Sequence, residues 1–147
     1  MDLTQAKKML EGGIKFVERS GLQVVELRRG HVQCLMPFAG NGNHIGTMYA
    51  GALFTLAEIP GGALFLSSFD ATRFYPIVKE LNLEFLKPVK SDATIEISLT
   101  EERINALQAE ASDKGKAEFV LEGEIKIADG TVVAASHGIY QLRSNQR

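Results

Sequence analysis

The 147-residue chain has no tryptophan, one cysteine, three histidines and four prolines. The lone thiol, Cys34, can form no intramolecular disulfide and belongs to no paired-cysteine metal or redox motif. His31, His44 and His137 lack zinc-ligand spacing, so no metal is expected. An excess of either charge is missing too: 16 basic and 18 acidic residues give a net charge of −2. That balance excludes a polybasic nucleic-acid binder, and an apolar fraction of 45% excludes a disordered chain. No continuous apolar run reaches membrane-spanning length. The nearest, Met48 to Phe69, contains Glu58, Pro60 and three glycines. The first residues carry no apolar core of a signal peptide. These absences lead us to expect a cytoplasmic protein of one domain, residues 1–147, with no membrane or nucleic-acid partner.

Charge is also missing locally. Among the forty residues from Gly30 to Phe69 only Glu58 is formally charged. At the chain-wide frequency that stretch would hold about nine charges. One carboxylate therefore stands alone in the most apolar part of the chain.

Around it, periodicity gives the elements. Leu3, Leu10, Ile14 and Val17 form one helical stripe, which predicts an amphipathic helix over about 3–18, closed by Ser20-Gly21. Leu22 to Glu26 and His31 to Phe38 read as a hairpin about Arg28-Arg29-Gly30, with Val32, Cys34 and Met36 on one face. Ala39 to Gly46 is a glycine- and asparagine-rich loop. From Thr47 to Phe69 apolar residues cover nearly the whole helix circumference, so this helix must be buried on most sides. Pro60 and Gly61-Gly62 predict a kink or break in it.

The rest is rich in strands. Ile77 to Phe85 reads as a strand, with Leu81, Leu83 and Phe85 alternating against Glu80, Asn82 and Glu84. Ala93 to Leu99 alternates likewise. Thr100-Glu101-Glu102 resembles a helix start, giving a short helix to about Ala111 or a further strand. Lys116 to Ala128 is a strand whose inward Gly123 marks a bulge or a close approach. Asp129-Gly130 turns the chain into a return strand over 131–142, and residues 143–147 are expected to fray. A sheet covering one apolar helix is an α+β fold.

This order resembles the hotdog fold, in which an antiparallel β-sheet wraps a long central helix. Asn43, Gly46-Thr47, Gly51 and Leu56-Ala57-Glu58 keep, without a gap, the spacing of a loop-to-helix motif. That motif is found in hotdog acyl-CoA thioesterases related to the phenylacetate-pathway enzyme. Tyr49 replaces the motif histidine, Ala50 its first glycine, and Glu58 stands on the acidic position. Gly62 and Phe65 stand where many members carry a hydroxyl. Leu86-Lys87-Pro88 followed by Ser91-Asp92 resembles a second motif, with Ser91 for glycine, and the resemblance spans about residues 20–143.

The resemblance implies a thioesterase acting on a small-molecule acyl thioester of CoA or an acyl carrier. No cofactor is needed, because the CoA moiety is part of the substrate. Glu58 would act as base or nucleophile, and the backbone amides of Ala50 and Gly51 would polarise the carbonyl. Asn43 would hold the carbonyl or a water. Gly46, Thr47 and Tyr49 would line the substrate, with Lys87 and Lys90 near its phosphates. Phe54, Phe65, Phe69 and Phe74 would set the depth of the acyl tunnel. Along one straight helix, Glu58 lies about 10–12 Å from those amides. The resemblance therefore implies that the acid of one subunit faces the helix start of another, in a homodimer or a dimer of dimers. Two alternatives stand beside it. One is a non-catalytic acyl-CoA or lipid-binding protein. The other is a hotdog dehydratase or hydratase, whose acid would fall at Leu56 when counted from Gly51.

Overall fold

The computed structural model describes residues 2–146. Two short helices, α1 (Leu3–Gly12) and α2 (Lys15–Ser20), precede a hairpin of β1 (Gln23–Arg28) and β2 (His31–Met36). The long helix α3 (Ala50–Ser68) follows, then β3 (Phe74–Phe85) and β4 (Ala93–Ser98). Helix α4 (Glu101–Lys114) leads to β5 (Lys116–Lys126) and β6 (Val132–Ser144). The strands form one antiparallel sheet in the order β1-β2-β4-β5-β6-β3. With a long helix held against its concave face, this is the hotdog architecture.

Helix α3 is the centre of the core. Twelve of its nineteen residues are buried, including Leu56, Ala63 and Leu64. Opposite them the sheet presents Val32, Cys34, Met36, Ile95 and Ile125, all fully buried. A ladder of rings, Phe65–Phe69–Phe119–Tyr140, joins helix to sheet with centroid spacings of 6.2, 6.1 and 5.7 Å. Such offset pairs add packing energy beyond their buried area.

Several expectations are corrected. The predicted helix over 3–18 is two helices, because Ile14 is extended (φ −111°, ψ 119°) and starts α2. An alanine at Gly13 would press its Cβ to 2.5 Å from the Met9 carbonyl oxygen, so the turn requires glycine. Helix α3 runs through Pro60 without breaking. The lost backbone bond is outweighed by burial of Leu56, Ile59 and Ala63 on either side. Phe85 lies on the helix-facing side of β3, paired with the buried Ala134, yet is 52% exposed because at the end of this edge strand it lines the open cavity at the start of α3.

The segment after Thr100 is a helix, capped by the Thr100 hydroxyl, which accepts from the Arg103 amide. Gly123 marks a close approach and not a bulge. Its register with Ser136 is regular, and the Ile95 and Ile97 side chains fill the space a Cβ would need. The tail does not fray at Arg143 and Ser144, which belong to β6. Beyond them the Asn145 amide donates to the Arg73 carbonyl at 2.8 Å, and Arg147 lies outside the described residues.

Candidate active site

The loop before α3 is built by Asn43. Its Oδ1 accepts from the amides of Ile45 and Thr47, each at 3.0 Å, and its Nδ2 donates to the Thr47 hydroxyl at 2.8 Å. Gly46 supplies the left-handed residue of that turn, at φ 84°. The loop is pinned by the Met48 amide on the Val89 carbonyl (2.7 Å) and the Tyr49 amide on the Asn41 carbonyl (2.8 Å). Tyr49 is the N-cap of α3 and provides no side-chain cap. The Ala50 and Gly51 amides, at the positive end of the helix dipole, have no acceptor among the described residues. Asn43, Thr47, Ala50 and Lys87 border a cavity of about 300 Å³ at this helix end. Lys90 is exposed and does not line it. The Tyr49 ring is 58% exposed and lies over Gly51.

Glu58 is half-buried, two turns further along α3. Its carboxylate has neither a hydrogen bond nor an ion pair among the described residues. Burial pushes its carboxyl above the ordinary carboxylate range. Two cavities meet at Glu58 and Phe54. One, of about 250 Å³, is lined on one side by Ile14, Phe16 and Val17 of the N-terminal segment. The other, of about 320 Å³, is bounded by Val78 to Leu81 on the edge strand β3. A larger cavity of about 550 Å³ lies on the opposite face of the sheet, among Glu96, Glu122 and Glu124. It shares no residue with the Glu58 region.

Within one chain, then, the predicted site residues fall into two groups. Asn43, Gly46, Thr47, Tyr49, Ala50, Gly51 and Lys87 gather at the start of α3, and Glu58 stands apart. Three of the four phenylalanines expected around a tunnel do not line a cavity near Glu58. Phe65, Phe69 and Phe74 are core residues, and only Phe54 is exposed there.

Sequence reasoning missed Tyr140, which lies beneath α3 against Gly61. Its phenol is pushed up to about 12, first by burial and then by the charge of Glu58. Ile14 and Phe16 were also missed as cavity walls. Ile14 fitted an expected core stripe and Phe16 fell off it, and neither position carried a signal for a cavity.

The fold and the buried-helix site define a hotdog protein, and its structural neighbours include thioesterases. Residues 7–140 match the family described as a domain of unknown function, DUF4442, and the chain belongs to that family. It is 54% identical to the Pseudomonas aeruginosa protein PA5026, a protein of unknown function named a probable thioesterase. The TM-score is 0.96, over 99% of this chain and 97% of that one. Thioesterase HI1161 of Haemophilus influenzae shares the fold at 14% identity and a TM-score of 0.76, over 100% of this chain and 94% of that one. A variant of thioesterase PA1618 of Pseudomonas aeruginosa does so at 17% and 0.75, over 98% and 95%. No curated protein matches the chain.

Proposed function

We propose that this protein is a thioesterase that hydrolyses an acyl-CoA. The observation that carries the reading is the half-buried, unpartnered carboxylate of Glu58 between two cavities, on a helix whose first amides are unpaired. A carboxyl raised above its usual range is a stronger base than an exposed one. In the reaction, Glu58 takes a proton from water as the water oxygen attacks the thioester carbonyl carbon. The developing oxyanion accepts hydrogen bonds from the Ala50 and Gly51 amides. The tetrahedral intermediate then collapses, the C–S bond breaks, and the proton held by Glu58 passes to the departing thiolate. The products are a carboxylic acid and a thiol. Because the two groups lie about 10–12 Å apart along one helix, the amides are those of a second copy of this chain, in a homodimer. Lys87, beside that cavity, and Lys90 in the following turn contact the CoA phosphates.

The test is turnover of an acyl-CoA panel, read with a thiol reagent, for wild type and Glu58→Ala. The expected loss is about 10²–10⁴-fold. Undiminished turnover by Glu58→Ala overturns the assignment of Glu58. One observation favours a second reading, a non-catalytic acyl-CoA binder: Tyr49 holds the motif histidine's place, and at Gly62 a side chain would meet nothing. Tight CoA-ester binding by calorimetry without turnover would select that reading.

A further inference from the structure

The bend between α1 and α2 exposes two large apolar side chains, Ile14 at 56% and Phe16 at 57%. The segment carrying them is firmly anchored. Ala6 and Val17 are buried. The Glu11 carboxylate accepts from the Val24 amide of β1 at 2.7 Å, and the Asn41 side chain donates to the Ser20 carbonyl at 2.7 Å. So the bend holds Ile14 and Phe16 in place while leaving them uncovered.

What they face defines an occupant. With Val17 and Phe54 they line the cavity of about 250 Å³ that Glu58 also borders. The cavity's other polar side chain, Thr55, already donates its hydroxyl to the Gly51 carbonyl at 2.8 Å. Glu58 is therefore the one uncommitted polar group in an otherwise apolar recess. A chain of methylenes attached to a polar reacting centre fits that arrangement. We infer that the α1–α2 bend, through Ile14 and Phe16, receives the acyl chain of the thioester and sets which chain lengths are preferred. The inference rests on the thioesterase reading for the identity of the reacting group.

The absence of tryptophan from the chain supplies the test. Phe16→Trp places a single indole in the recess. Its emission is expected to shift to the blue on titration with octanoyl-CoA and to stay unchanged with CoA alone. In turnover, Ile14→Ala and Phe16→Ala are expected to move the preferred chain length upward by about two carbons, mainly through KM. Octanoyl-CoA turnover with an unmoved indole and an unmoved chain-length profile overturns the inference and leaves the thioesterase reading intact. An indole shift without hydrolysis by wild type supports the bend as the acyl site and overturns the hydrolase. Neither binding nor turnover overturns both.

Discussion

The two faces of α3 obey different rules. On one, Leu56, Ala63 and Leu64 are sealed against the sheet with essentially no exposed surface. On the other, Phe54, Glu58 and Gly62 recur every four residues and so line up along one side of the helix. That side is only partly covered: Phe54 is 42% exposed, Glu58 is half-buried and Gly62 is open. A helix apolar all round looks uniform as a sequence, yet only one face holds the fold together. The other leaves a carboxylate bordering two cavities.

Substitutions along α3 break or sharpen this contrast. Leu56→Ala, on the sealed face, is expected to cost about 2–5 kcal/mol in urea unfolding. The adjacent glycines divide the two faces within one residue. Gly61→Ala would drive a Cβ into the Tyr140 ring, which is stacked on Phe119 and boxed in by Gly138. It is expected to destabilise by about 1–3 kcal/mol. Gly62→Ala meets nothing and is expected to stabilise by about 0.5–1 kcal/mol through helix propensity. Equal effects at the two glycines would erase the distinction between the faces.

The smallest effect concerns Glu58 and pH. Its folded carboxyl is raised, so the folded state holds its proton to higher pH than the unfolded chain. The cost of ionising it is absent below the ordinary carboxylate range and accumulates as pH rises through the raised folded value. Glu58→Gln is therefore expected to equal wild type in stability at low pH and to exceed it slightly at neutral pH. Stability curves at the two pH values check the sign.

Much of this was legible before the structure. The hairpin, β4, β5 and the Asp129-Gly130 turn followed from alternation and turn chemistry, because each is set by residues close in sequence. Helix α3 announced its burial through apolar density, and Glu58 stood out as the one charge in forty residues. What was hidden depends on packing between distant segments. The break at Ile14 was masked because Leu10, Ile14 and Val17 continue an apolar stripe across it. Phe65 and Phe69 look like tunnel residues until Phe119 and Tyr140 close the ladder against them. Phe85 alternates like a core residue, and only the strand order places it on an edge. Tyr140 reaches α3 across the sheet from the last strand, which no local pattern reports.

The central claim is that Glu58 and the helix-start amides act together from two copies of the chain. Ala50→Pro removes one of those amides while keeping the helix, since proline suits the first helical position and Tyr49 already has the extended backbone (φ −60°, ψ 138°) that must precede it. Each of Glu58→Gln and Ala50→Pro alone is expected to be nearly inactive. The most direct measurement is acyl-CoA turnover after the two variants are unfolded together and refolded as a mixture. Half of the randomly formed dimers would then carry one intact site of two, and turnover should recover to about a quarter of wild type. A mixture no more active than its separate components would contradict the shared site.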